Sequence, residues 1–182
     1  LALILMAVRS PHKFFDLTKK KKRDRYFFPS KQFLNYKIGI IGLGRIGKKL
    51  SKYLKNLNFE ILHYDKKKHS ENRLSKLLKL SDIISININF NKKNLNFIDK
   101  KFLDKCKKNV KIVNISRGEV VNEINLLNFL KKNKYAEAYL DCIKDEHNKI
   151  NEPFLIKNIK KYKNLFISQH VGGACLDAIE KT

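Results

Sequence analysis

The sequence predicts an α/β fold, a doubly wound parallel sheet covered by helices on both faces. Three observations predict it. Short apolar runs alternate with helical patterns from residue 37 onward, which is the signature of successive βαβ units. Those runs are apolar with few interruptions, as in Ile83-Ile84-Ser85-Ile86 and Val110-Lys111-Ile112-Val113, so both faces of the sheet are buried. A glycine triplet closes the first run at Gly42, Gly44 and Gly47.

In chain order, Leu1 to Val8 is an apolar run too short to span a bilayer, which takes about 20 residues; it reads as a buried helix. No charged segment precedes it, so it does not read as a signal peptide. Residues 10–36 hold Pro11, Pro29, a dense basic cluster from Lys19 to Arg25 and the aromatics Tyr26, Phe27, Phe28 and Phe33. They read as an irregular surface connection whose aromatics need covering, as by a second subunit. Strands are expected near 37–42, 59–65, 83–88, 110–115, 136–141 and 165–168, and helices near 45–57, 73–80, 100–107, 123–133 and 153–159.

The first βαβ unit carries a dinucleotide-binding fingerprint of the Rossmann type. A strand precedes Gly42-Leu43-Gly44-Arg45-Ile46-Gly47, a helix with Ile46, Leu50, Leu54 and Leu57 on one face comes after it, and a second strand ends at Asp65, 23 residues past Gly42. Gly42 permits the tight turn, Gly44 lets the backbone approach a pyrophosphate, and Gly47 lets the helix pack close to the strand. The helix N-terminus attracts the phosphates. Asp65 would accept hydrogen bonds from the ribose hydroxyls and repel a 2′-phosphate, favouring NAD over NADP; Lys66, Lys67 and Lys68 beside it work the other way.

Bulk properties exclude less than they suggest. The net charge of +23 in 182 residues points toward a polyanion. The charge is mostly lysine spread along the chain, with Asn and Ile also heavily used, while arginine, the residue of phosphate and base forks, is scarce. Genome composition explains this better than a nucleic-acid partner, which is not expected. Cys106, Cys142 and Cys175 show no paired spacing, which argues against disulfides and zinc and for a reducing, cytoplasmic setting. No metal site is expected.

Ligands of such sheets sit beyond the carboxyl ends of the strands. Those ends lead here into Asn87 to Asn91, then Ser116-Arg117-Gly118-Glu119, then Asp141 with Glu146 five residues on, then His170-Val171-Gly172-Gly173. One arginine, one acid and one histidine at strand ends form a plausible catalytic set. Asp145 competes with Glu146 as the acid. His12, His63, His69 and His147 show no comparable partners in the sequence.

These residues, in this order, resemble the NAD-binding domain of the D-isomer-specific 2-hydroxyacid dehydrogenases, the group that includes D-3-phosphoglycerate dehydrogenase. Four motifs carry the resemblance: the glycine triplet with Asp65; Asn114-Ile115-Ser116-Arg117-Gly118-Glu119-Val120-Val121; Asp141 followed by Glu146; and His170-Val171-Gly172-Gly173. It implies hydride transfer between the nicotinamide of NAD and C2 of a D-2-hydroxy or 2-keto acid, 3-phosphoglycerate among the candidates. It further implies that Arg117 holds the substrate carboxylate and C2 oxygen, that His170 is the general acid and base, and that Glu146 pairs with His170 and stabilises its imidazolium. The cofactor would be bound by Gly42, Gly44, Arg45, Ile46, Gly47, Asp65, Ile115, Ser116, Asp141, Gly172 and Gly173.

The same resemblance divides the chain into an inter-domain helix and connection at 1–36, the NAD-binding domain at 37–171 and the start of a return helix at 172–182, with the substrate domain outside these residues. It implies a homodimer formed through this domain and poor turnover by the domain alone. The C-terminal-binding-protein corepressors share the fold, so a non-enzymatic NAD(H) sensor is the alternative. Departures from the family pattern are Asn87 to Asn91, where relatives usually show His, Pro and Thr, His147 in place of a usual Pro, and a short connection from Asp65 to Leu74.

Overall fold

A computed structural model describes residues 1–24, 31–148 and 150–174. Six parallel strands form one sheet in the order β2-β1-β3-β4-β5-β6. They are β1 (Lys37–Ile41), β2 (Glu60–Tyr64), β3 (Ile83–Ile86), β4 (Lys111–Asn114), β5 (Glu137–Leu140) and β6 (Leu165–Ile167). The register pairs Ile38 with both Ile61 and Ile83, so β1 lies between its two chain successors. The order therefore reverses beside β1, and a crevice opens between the ends of β1 and β3.

Alternate side chains of each strand enter two separate cores. Ile38, Ile40, Ile83, Val113 and Tyr139 pack with Ile4, Ala7 and Val8 of α1 (Ala2–Arg9) and with Leu50 and Leu54 of α3 (Arg45–Asn56). Ile84, Ile86, Ile112, Ala138 and Leu140 pack beneath α4 (Glu71–Leu80), α5 (Lys100–Asp104), α6 (Glu123–Lys132) and α7 (Phe154–Asn158). The expected strands and helices are all present, each within a few residues of its expected ends.

Two expectations need correction. Residues 11–19 are not irregular: Pro11–Lys19 form a further helix, α2. The proline that read as a breaker sits in the helix's first turn, where its missing N–H costs nothing and its fixed φ suits the helix. Ser10 makes the corner between α1 and α2 with φ 48°. The second correction concerns α3, whose buried stripe runs through Gly47, Leu50, Ser51 and Leu54, while Ile46 is 63% exposed. The stripe begins at Gly47, where only a residue without a side chain fits against the turn that leaves β1.

A buried ionic cluster fastens α1 and α2 to the sheet. Glu137 pairs with Lys13 and Lys111 and accepts a hydrogen bond from the Tyr139 hydroxyl at 2.7 Å, and Lys111 also donates to the Ala7 carbonyl. Burial pulls the Glu137 carboxyl upward, but these cations outweigh it and hold it below the ordinary glutamate value. Of the expected surface connection, Lys19 to Arg23 are exposed and Phe33 rests on Phe59 at 4.3 Å between rings; Tyr26, Phe27 and Phe28 lie outside the described residues, as do Arg25, Cys175 and most of the expected return helix.

Candidate functional site

The crevice at the β1–β3 reversal is a cleft of about 1430 Å³. Its floor and walls include residues 41–46, Asp65 to Lys68, Asn87 to Asn91 and Ile115 to Arg117. The glycine turn at its base is a steric construction. Gly42 has φ +93°, and a Cβ there would meet the Asn87 carbonyl oxygen at 2.5 Å. A Cβ on Gly47 would come within 2.0 Å of the Gly42 carbonyl oxygen. Gly44 differs: its φ of −70° suits any residue, and a Cβ there would meet nothing within 4 Å. The backbone is bare at the one position that must stay open to a ligand. Gly44 also caps α3, so the unpaired N–H groups of a 12-residue helix face that space.

Asp65 stands across the turn. Its carboxylate accepts from the amides of Leu43 and Lys67, both at 3.0 Å. The Leu43 amide is the main reason its carboxyl lies below the ordinary aspartate value. The Asp65 amide in turn donates to His69 Nδ1 at 2.9 Å. Arg45 and Ile46 line the cleft, and Lys66, Lys67 and Lys68 are exposed around it.

On the far wall, Asn114 organises the next loop. Its side-chain oxygen accepts from the Ser116 hydroxyl at 2.7 Å and the Ser116 amide at 3.1 Å, and its amide nitrogen donates to the Arg117 carbonyl at 2.9 Å. Ile115, Ser116 and Arg117 all line the cleft, and the Arg117 guanidinium donates to the Ser116 carbonyl at 2.7 Å. Gly118 is present because a later loop passes against it: a Cβ would lie 1.9 Å from the Ile143 carbonyl carbon. That contact joins the Arg117 loop to the loop bearing Glu146.

Asp141 and His170 meet at the ends of β5 and β6. Asp141 accepts from the Ser168 hydroxyl at 2.6 Å, the Val171 amide at 3.0 Å and the Gly172 amide at 2.8 Å. Burial alone would raise its carboxyl, but these three donors hold it below the ordinary value. So anchored, the loop turns through His170 at φ 52°, and His170 Nδ1 reaches Glu146 Oε1 at 2.6 Å. Glu146, not Asp145, holds the histidine. Cys142 lies among these groups; burial, then the charges of Glu146 and Asp141, push its thiol up to about 11 against the opposing pull of Arg117.

The expected site residues thus gather at the carboxyl edge of the sheet, most of them on the cleft or in the Asp141–Glu146–His170 cluster, while Gly47 is buried in α3 behind the Gly42 turn and does not line the cleft. Gly172 packs against Asp141, and Gly173 has open space where a side chain would be. The sequence reading missed three contributors. Asn87 carries a buried side-chain oxygen with no hydrogen-bond partner at the cleft wall. Glu123 fixes the Glu146 loop by accepting from the Lys144 amide at 2.9 Å. His147 Nε2 lies 3.5 Å from Glu146 Oε1, so it does have a partner. His63 also has one, bonding Ser51 at 2.7 Å and tying α3 to β2. Cys106 and Cys142 are buried free thiols.

Residues 1–172 match the family model described as D-isomer specific 2-hydroxyacid dehydrogenase, NAD binding domain. The chain belongs to this family. It is 32% identical over 174 residues to a glyoxylate reductase of Pyrococcus horikoshii, covering 88% of this chain and 50% of that relative. Against a glyoxylate reductase of Thermofilum pendens it is 30% identical over 166 residues, covering 86% of this chain and 48% of the relative. The chain therefore spans about half the length of these relatives. Among solved structures, a D-lactate dehydrogenase from Aquifex aeolicus complexed with NAD and lactic acid superposes with a TM-score of 0.86 at 24% identity, over 99% of this chain and 60% of that one, which shows the shared fold. The open cradle at Gly44, the helix end behind it and Asp65 opposite are what an NAD-binding domain of this family requires, and the residues fit the cofactor.

Proposed function

We propose that the protein is an NAD-dependent oxidoreductase that interconverts a D-2-hydroxy acid and its 2-keto acid. The observation that carries this reading is the 2.6 Å bond between His170 Nδ1 and Glu146 Oε1, at the same sheet edge as the NAD cleft. With Glu146 on one ring nitrogen, the other is left to exchange a proton with the substrate oxygen. NAD, when bound, supplies the hydride acceptor and donor. Arg117, on the cleft wall, is the residue to hold the substrate carboxylate through its guanidinium fork. One of its N–H groups is bonded to the Ser116 carbonyl, which leaves the other donors of the guanidinium for the carboxylate. Gly42 to Gly47 and the end of α3 would hold the pyrophosphate, Asp65 the adenosine ribose, and Ile115, Ser116 and the Asp141-anchored Val171–Gly173 turn the nicotinamide half.

The substrate class remains a small 2-hydroxy acid; the relatives named glyoxylate reductase favour a short one, and no residue of this chain singles out 3-phosphoglycerate. A homodimer through this domain is part of the proposal, supported by Phe15 exposed on α2. A cytoplasmic setting is supported by the free thiols, and no helix among the described residues is long and apolar enough to cross a membrane. The test is NADH oxidation by the whole protein with glyoxylate, pyruvate and phosphohydroxypyruvate as acceptors. Acceptor-dependent turnover is expected; NADH binding without turnover on any of them would favour the sensor over the enzyme.

A further inference from the structure

His147 creates something beyond the acid–histidine pair. Its Nε2 and His170 Nδ1 approach the same oxygen, Glu146 Oε1, at 3.5 and 2.6 Å. The two imidazoles are nearly parallel, 22° apart with centroids at 6.4 Å. Glu146, His147 and His170 each offer a ligand atom, and the three atoms lie within 4.8 Å of one another. In a tetrahedral zinc site with bonds of about 2.0–2.1 Å, ligand atoms stand about 3.4 Å apart. The His147–Glu146 distance already matches; the 88% exposed His147 side chain can close the gap to His170, and the 2.6 Å Glu146–His170 contact has to open by a little under an ångström as the cation replaces the hydrogen bond.

We propose that Glu146, His147 and His170 form an inhibitory site for a borderline-soft divalent cation, Zn²⁺ above all, with water as the fourth ligand. Two imidazoles and one carboxylate suit Zn²⁺, Cu²⁺ or Ni²⁺ and not Mg²⁺ or Ca²⁺. The inference rests on the reading of His170 as the acid and base. Coordination through Nδ1 replaces a proton or hydrogen bond there with the cation, displacing Glu146 from its role. A ring coordinated at Nδ1 cannot become imidazolium; it keeps its Nε2–H, but giving that proton to a keto acid would leave an imidazolate, so it is a far weaker acid and reduction stops while the metal stays.

Two measurements test this. Co²⁺ titration of the protein should give the visible absorption of a tetrahedral site, displaced by Zn²⁺. In His147→Ala and His147→Gln the affinity should fall about tenfold or more, since one of three protein ligands is lost. Zn²⁺ should inhibit NADH-dependent keto acid reduction, reversibly on EDTA and with no effect of Mg²⁺, and each variant, compared with its own metal-free rate, should need correspondingly more Zn²⁺. Equal Co²⁺ and Zn²⁺ affinity in wild type and variants overturns the site. Metal binding that depends on His147 but leaves turnover unchanged keeps the site and removes His170 from the proton transfer, which separates the two failures.

Discussion

The two ends of the cleft are built on different principles. The phosphate cradle is made of backbone: Gly42 and Gly47 lie against other main-chain atoms, and Gly44 keeps its space by having no side chain. The acid–histidine end is made of side chains from separate strand ends, with Asp141 gripping the loop that presents His170 and Glu146 bonding the ring. A cradle of backbone is rigid and cannot be retuned without breaking packing. A cluster of charged side chains holds its loop through groups that each titrate, move and exchange partners. Structure resides in the first, and proton chemistry can only reside in the second.

Four changes would break or sharpen this contrast, taken from the largest expected effect. His170→Ala should lower keto acid reduction by about 10²- to 10⁴-fold, the usual worth of a positioned acid–base group, while NADH affinity measured by fluorescence titration stays the same. Equal loss of both would mean that the two ends are not separable. Gly47→Ala forces a Cβ to 2.0 Å from the Gly42 oxygen, and with backbone on both sides the overpacking should cost about 1–3 kcal/mol. Calorimetry should then find the melting temperature lowered by about 2–4 °C per kcal/mol. Gly44→Ala is its control: the melting temperature should hold while NAD binding weakens, because the new methyl group enters only ligand space.

Asp141→Asn ranks third. It replaces a carboxylate that accepts three hydrogen bonds, at an expected cost on the order of 1–3 kcal/mol, since bonds to a charged acceptor are the stronger kind. The Val171 and Gly172 amides should exchange with deuterium faster, and turnover should drop with little change in NAD affinity. The smallest effect is that of pH. The carboxyls of Asp65 and Asp141 lie below their unfolded value in the folded protein, so their stabilisation is complete well above about 3.9 and is lost as pH falls through their lower folded values. Melting curves between neutral pH and pH 3 should show stability falling progressively from about pH 5 downward, and less steeply in Asp141→Asn.

Legibility divided along the same line. The cradle could be read because a fixed spacing of glycines between a strand and a helix reflects local sterics, and local sterics are written in consecutive residues. Arg117, Glu146 and His170 could be located because each comes after an apolar run, and ligands of a parallel sheet collect at those ends. Which acid serves His170 could not be read: Asp145 and Glu146 are adjacent, and only the turn at Asp145, with φ 56°, delivers Glu146 to the ring. Pro11 misled for a related reason, since a proline stops one helix and opens another with equal ease.

By itself the sequence determined the α/β alternation, the strand ends and the glycine cradle, because each depends on residues a few positions apart. Tertiary structure alone decided that Gly118 must lack a side chain where the 143–144 backbone passes, that Asp141 holds the His170 loop, and that His147 joins Glu146 and His170 in one cluster. Those contacts join residues some 23 to 31 positions apart, and no local periodicity encodes which loops the sheet will bring to the same edge.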